Sequence, residues 1–165
     1  MADQPEREVR FAVVMYGGVS LAIYINGVSQ ELMSLVRSTA RSRENDGAGY
    51  HVNDVKGVEA VYRKLGEYLK ARFVVDILSG TSAGGINAVY LAKALANDQQ
   101  ITQLKDLWIE EGDIGLLVND QASVRGLDGL ALQDKPASLL NSQRMYYKLL
   151  YALQGMKDRN AASDQ

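Results

Sequence analysis

The chain has 165 residues, enough for one domain with its own core, and 47% of them are hydrophobic. Its 18 basic and 20 acidic residues nearly balance, so nothing in the charge points to nucleic acid. With no Cys, disulfides, thiolate chemistry and Cys-based metal sites are excluded, and a single His, His51, excludes a His-rich metal site as well.

Residues 1–9 are polar and expected to be flexible. Arg10 to Tyr16 reads as a strand, because Phe11, Val13, Val14 and Met15 form a near-continuous apolar run of the kind that suits a parallel strand covered on both faces. Gly17-Gly18 ends it. From Val19 to about Arg37 the pattern is helical and apolar on most sides up to Val28, which predicts a buried helix packed on a sheet. Phe11 to Gln30 carries no charge, but Gly17, Gly18, Ser20, Asn26, Gly27, Ser29 and Gln30 are too polar for a lipid-facing span. The residues before it include Asp3, Glu6, Arg7, Glu8 and Arg10, which do not make a positively charged leader, so the expected location is cytoplasmic. Arg37 to Asn53 is charged, Ser-rich and Gly-rich and reads as a loop.

Asp54 to Phe73 is expected to be an amphipathic helix, with Val58, Val61, Tyr62, Leu65, Tyr68 and Leu69 at helical spacing. A second strand is expected over 73–79. It ends in Gly80-Thr81-Ser82-Ala83-Gly84, which fits G-x-S-x-G, and an Ala-rich helix over about 83–97 follows. Strand, sharp turn and helix form the context of a nucleophile elbow. Gly80 and Gly84 let backbone approach backbone, and Ser82 falls at the tip, near the positive end of the helix. The plainer reading is a strand-to-helix turn whose Ser caps the helix. Thr102 to Glu110 is a further short helix with Leu104, Leu107 and Trp108 on one side. Gly112 to Pro136 reads as loop with fragments. Arg144 to Met156 is helical, with Met145, Leu149, Leu150 and Leu153 as its stripe, and the tail from Lys157 is polar and expected to be disordered. Two strands joined by a long helical connection suit a parallel crossover. An α/β sheet normally has more strands, so either 112–136 hides one or the chain is the front of a larger protein.

A Ser hydroxyl needs a base to take its proton. In most serine hydrolases the base is a His, which in the α/β-hydrolase order follows the nucleophile. No His follows Ser82, and His51 precedes it in a polar loop. If Ser82 is the nucleophile, a carboxylate is expected to activate it directly.

The Gly-rich turn after the first strand, then Gly80-Thr81-Ser82-Ala83-Gly84-Gly85, with no triad His, resembles the patatin-like phospholipases over residues 11–35 and 74–97. The run Gly17-Gly18-Val19-Ser20-Leu21-Ala22 with Asn26-Gly27-Val28 is most similar to a bacterial patatin-related branch. The resemblance implies a three-layer α/β/α core with parallel strands, of which residues 10–156 would be the N-terminal part. It implies a lipid acyl hydrolase that works through a Ser-Asp dyad and an acyl-enzyme, without metal or cofactor. Its partners would be a lipid or ester substrate and, through that substrate, the surface of a membrane. Carried over, Ser82 is the nucleophile, Gly80, Thr81, Ala83 and Gly84 complete the elbow, and Gly17 and Gly18 form the oxyanion hole. Acyl transfer builds negative charge on the carbonyl oxygen, and preorganised N–H groups stabilise it by about 3 kcal/mol per donor.

The sequence departs from the family in two places. The usual G-G-G-x-R/K-G loop reads Tyr16-Gly17-Gly18-Val19-Ser20-Leu21, so the first Gly, the basic residue and the last Gly are replaced. The family's acid lies in D-G-G or D-G-A well downstream of the Ser. Here the Asp-Gly after Ser82 is Asp128-Gly129, followed by Leu130, with little chain for the strands that normally intervene. Either Asp128 is the acid or the acid lies beyond residue 165. Asp76, on the strand that leads to the elbow, reads as structural. The alternative function is an inactive patatin-like fragment lacking its acid and serving as an interaction module. A nucleotide-binding Gly loop is a weaker reading, since neither G-x-x-x-x-G-K-[ST] nor G-x-G-x-x-G occurs.

Overall fold

The computed structural model describes residues 7–40, 56–131, 135 and 137–156. Of the expected flexible end over 1–9, residues 1–6 fall outside these residues and 7–9 are strand instead; most of the 37–53 loop with His51 and the expected disordered tail over 157–165 also fall outside. The segment expected as one domain, 10–156, divides after Ala92 into two compact units, residues 1–92 and 93–165.

The first unit is α/β. Strand β1 (Arg7–Met15) is followed by a short 3-10 turn (Val19–Leu21), helix α1 (Ala22–Ser38), helix α2 (Val58–Leu69), strand β2 (Ala71–Gly80) and the start of helix α3 (Ala83–Asn97). The strands pair in parallel, as the helical connection between them predicts, and the sheet has two strands among the described residues. β1 starts at Arg7 rather than Arg10, and β2 at Ala71 rather than Phe73. A cross-strand ion pair joins the early residues: Arg72 Nη2 of β2 meets Glu8 Oε1 at 2.8 Å, while Arg10, two residues along β1 from Glu8, holds Glu8 Oε2 through Nη2 at 2.7 Å. Phe11 stacks on Phe73 with centroids 6.0 Å apart. Helix α2 stops short of Phe73 because Lys70 caps it in the left-handed conformation, φ 48 and ψ 43, and the freed residues join the sheet. The register slips once, between Phe11 and Ala12, which leaves Asp76 without a partner position. Its carboxylate accepts from Arg10 Nη1 at 3.2 and 2.9 Å, a structural role as expected.

Two burial expectations are corrected. Burial alternates along β1: Val9, Phe11 and Val13 are half-buried and Met15 buried, while Ala12 and Val14 on the other face are exposed. Ile77 on β2 is 60% exposed. Two strands and their connecting helices are too few elements to cover both faces. Likewise α1 buries Ala22, Ile25, Asn26 and Ser29 but leaves Ile23, Tyr24 and Val28 exposed. In α2 the apolar stripe points outward, with Tyr68 86% exposed, and the buried residue is Gly66, close to Thr39, which follows α1. Helical periodicity located α2 but not the face it buries. In helix α3, Ala83, Gly84, Asn87, Ala88, Tyr90, Leu91 and Ala94 are buried, while Val89 is 56% exposed.

The second unit is helical. It contains the end of α3, helix α4 (Thr102–Glu111), the short α5 (Ile114–Leu117) and helix α6 (Ser142–Gln154). Ala94, Ile101, Leu104, Leu107 and Met156 form its core. No strand hides in the described part of 112–136, where a single antiparallel bridge joins Val118 to Leu140. Helix α6 opens at Ser142 because the Asn141 side chain accepts from the Arg144 N–H at 3.0 Å. Arg144 is buried and reaches Glu111 Oε2 through Nη2 at 2.6 Å and the Ser123 and Arg125 carbonyls through Nη1 at 3.2 and 2.9 Å.

Candidate active site

Gly80 closes β2, Thr81 and Ser82 make the turn, and Ala83 opens α3. Ser82 is exposed at the tip with φ 52, in the left-handed region that side chains other than Gly avoid. Such a conformation costs on the order of 1–3 kcal/mol and persists only where its surroundings enforce it. Here close backbone approach enforces it. A Cβ on Gly84 would overlap the Met15 carbonyl oxygen, and one on Gly80 would lie 2.5 Å from the Gly84 carbonyl group. The turn is tied down on both sides: Gly84 N–H donates to Thr81 O at 2.9 Å, and Thr81 N–H donates to Met15 O at 3.1 Å. Among the described residues of the first unit, Ser82 Oγ makes no hydrogen bond.

The Gly17-Gly18 loop leaves the carboxyl end of β1, beside the end of β2 that carries the elbow. Ligand sites of open α/β sheets form at such ends. A Cβ on Gly17 would overlap the Thr81 carbonyl oxygen and come within 2.6 Å of Ser82 Cβ, so the loop backbone lies directly against the serine. The two glycines differ in what they offer. Gly17 N–H donates to Thr81 Oγ1 at 3.2 Å and is already engaged. Gly18 N–H meets no acceptor among the described residues, and neither does Ala83 N–H, the first orphan donor of α3. Of the two sequence-predicted oxyanion donors, Gly18 offers a free N–H and Gly17 supplies closeness. Ala83, expected only as part of the elbow, brings a second free donor.

Sequence reasoning missed a polar layer beneath the elbow. Asn26 of α1 and Asn87 of α3 are both buried, and Asn26 Nδ2 donates to Asn87 Oδ1 at 3.3 Å. Two Asn residues inside runs otherwise apolar were the available signal. An apolar groove of about 480 Å³ runs along the open side of α1, lined by Ile23, Tyr24, Val28, Leu32 and Leu35 together with Tyr62 of α2. It begins in the first turn of α1, just after the Gly17-Gly18 loop.

Asp128 belongs to the second unit. It is exposed in a turn with Gly129, which has φ +80, and Leu130 N–H closes on Leu127 O at 3.3 Å. Gly129, Leu130, Ser142, Gln143, Tyr146 and Tyr147 line an open groove of about 610 Å³ beside it. Among the described residues, no three acidic or His side chains come together as a metal site, and no helix is long and apolar enough to cross a membrane.

No protein-family model matches the chain, and no solved structure does. The chain is similar to uncharacterized membrane protein Rv3479 of Mycobacterium tuberculosis, with 38% identity over 119 residues, which is 69% of this chain. The match spans 11% of that protein's length.

Proposed function

We propose that this chain carries the nucleophile half of a patatin-type lipid acyl hydrolase. One observation carries the reading: an exposed serine held at φ 52 between β2 and α3, with a glycine loop pressed against its Cβ. A strained turn enforced by backbone contact is a common property of sites that present a nucleophile.

In the reaction, Ser82 Oγ attacks the ester carbonyl carbon while a carboxylate takes its proton. The carbonyl electron pair moves to the oxygen, where the N–H groups of Gly18 and Ala83 stabilise the charge. The tetrahedral centre collapses, the C–O bond to the alcohol breaks, and the alcohol leaves with the proton from the carboxylic acid. Water then repeats the sequence on the acyl-Ser82 ester and releases the fatty acid. The carboxylate is Asp128 or one contributed from outside residues 1–165. The groove along α1 is apolar, which supports an acyl chain as the occupant of its hydrophobic wall. The protein would work from the cytoplasm and meet the membrane through its substrate.

The test is a fluorophosphonate probe, followed by mass spectrometry of the labelled peptide, beside hydrolysis of a short-chain nitrophenyl ester. Labelling at Ser82 that is abolished in Ser82→Ala is the expected result. A folded chain that leaves Ser82 unlabelled shows that Asp128 does not activate it and favours the alternative, a fragment that lacks its acid and serves as an interaction module. The engagement of Gly17 N–H by Thr81 is the observation that supports that second reading.

A further inference from the structure

We infer that Asn87, with Asn26 as its partner, is a positioning residue that sets the nucleophile turn against the oxyanion loop; the inference rests on the acyl hydrolase reading for its meaning. Asn87 is 0% and Asn26 1% exposed. Most of the residues buried in the same stretches of the two helices are apolar, Ala22, Ile25, Ala83, Ala88 and Leu91, with Ser29 the polar exception. Burying an amide there is unfavourable unless its hydrogen bonds are made. They are made in one arrangement. Asn87 Nδ2 donates to Ala83 O at 2.9 Å and to Ala22 O at 3.3 Å. Asn87 Oδ1 accepts from Asn26 Nδ2, and Asn26 Oδ1 accepts from Gln30 Nε2 at 2.7 Å. The orientation of the Asn87 amide follows from its partners, since two carbonyls can only accept.

The location of those carbonyls gives the pair its function. Ala22 is the first residue of α1 and follows the loop that contains Gly17 and Gly18. Ala83 is the first residue of α3 and follows Ser82. One NH₂ group therefore bridges the starts of the two helices that carry the two halves of the candidate site. Apolar packing is non-directional and would hold the helices together while leaving their mutual slide loosely set. The amide bridge admits one register. The free N–H groups of Gly18 and Ala83 belong to the segments so joined, and sites of this kind demand donor placement to within a fraction of an ångström.

The test compares Asn87→Leu, Asn87→Ser and Leu91→Ala with the unmodified 165-residue chain. Leucine keeps the branched shape with more bulk and removes both donors and the acceptor. Serine can return a hydroxyl to the carbonyl four residues back, Ala83, without reaching Ala22. Leu91→Ala truncates a buried apolar residue of the same helix and serves as the purely structural control. Two readouts are taken on folded protein: the rate of fluorophosphonate labelling at Ser82, and the backbone amide shifts and exchange rates of Gly18 and Ala83. Asn87→Leu and Asn87→Ser are expected to slow labelling at least tenfold and to shift both amides, whereas Leu91→Ala lowers the melting temperature and leaves both readouts within twofold of the parent. Where ester turnover is measurable, kcat falls and KM holds. If Asn87→Leu does not fold, Asn87→Ser decides. Labelling and amides unchanged in a folded Asn87 variant, or changed equally by Leu91→Ala, overturn the inference. If the parent chain itself is never labelled, these residues hold no activated serine, and the amide readout alone still decides whether Asn87 positions the two segments.

Discussion

The Gly80–Gly84 elbow and the Asp128-Gly129 turn are both small-residue turns that the sequence nominates as the two members of a dyad, yet their glycines do opposite work. In the elbow the glycines admit close approach: a Cβ on Gly84 would overlap the Met15 carbonyl oxygen. In the second turn Gly129 has φ +80 and nothing within 4 Å of where a Cβ would stand. One turn is defined by contact with its neighbours, the other by its own dihedral angles. A turn made by contact can hold a side chain in a strained conformation and fix donors around it. A turn made by dihedrals directs the chain but leaves its side chains to solvent. The second unit has its charged contacts elsewhere, where half-buried Glu111 pairs with buried Arg144 at 2.6 Å and with half-buried Lys148 at 2.7 Å.

That cluster supplies the largest expected effect. Glu111 is the one acidic partner of Arg144 in it, so Glu111→Ala leaves a buried guanidinium uncompensated and is expected to destabilise the second unit by about 3–5 kcal/mol. Chemical denaturation followed by helix signal checks it, and a loss under about 1 kcal/mol would show that the Ser123 and Arg125 carbonyls satisfy Arg144 unaided. Burial tends to raise the Glu111 pKa, but the hydrogen bonds from Lys148 and Arg144 outweigh it, and the carboxyl titrates below its ordinary 4.5. A depressed folded pKa gives stability that is full above the unfolded value and lost as pH falls through the folded one. Stability is therefore expected to decline as pH drops below about 4.5, with a shallower decline in Glu111→Gln.

Next in size is Gly17→Ala, which tests the contact-made turn. The new methyl group meets backbone at Thr81 and the Ser82 Cβ, so something must shift. Overpacking of this kind costs about 1–3 kcal/mol. Displacement of the loop is expected to slow fluorophosphonate labelling about a hundredfold, the scale of losing one oxyanion donor. A variant labelled at the parental rate would show that the loop does not shape the site. Thr81→Val is smaller again. It removes the acceptor of Gly17 N–H and is expected to cost about 1 kcal/mol. Thr81→Ser, which keeps the hydroxyl, should recover the loss, and no difference between the two variants would remove the hydrogen bond from the account.

The elbow was legible because G-x-S-x-G between an apolar run and an Ala-rich run admits few local structures, and the turn and the helix form where expected, at the end of a strand that covers the expected one. The strand starts at Arg7 and Ala71 were not legible, because they depend on Glu8 meeting Arg72 across the sheet, a pairing between residues far apart in sequence. Periodicity found α2 and misjudged its buried face, since Gly66 is small enough to lie against Thr39 and the Ala71 carbonyl while Val61 and Tyr68 face outward. Asn26 and Asn87 carry no local signal beyond being polar in apolar helices. Their role depends on two helix starts meeting. Asp-Gly gave the turn at Asp128 correctly and could give nothing about its chemistry.

The smallest expected effect on stability belongs to Asp128→Asn, and it bears most directly on function. Asp128 is exposed, and among the described residues of its own unit its carboxylate makes no hydrogen bond or ion pair. Asparagine suits a turn as well as aspartate does. The unfolding free energy is therefore expected to stay within about 0.5 kcal/mol of the parent, the usual range for surface positions free of special features. A change above about 1 kcal/mol would mean that the turn is held by its surroundings after all and would erase the contrast with the elbow. With stability unchanged, turnover of a nitrophenyl ester can be read as chemistry. Asparagine cannot accept the Ser82 proton, so if Asp128 is the acid of the dyad, turnover falls by three or more orders of magnitude while the fold is intact, about 4 kcal/mol of transition-state stabilisation or more. If turnover is abolished in Ser82→Ala and persists in Asp128→Asn, the base is a different carboxylate, and the second unit has no part in the chemistry through this turn.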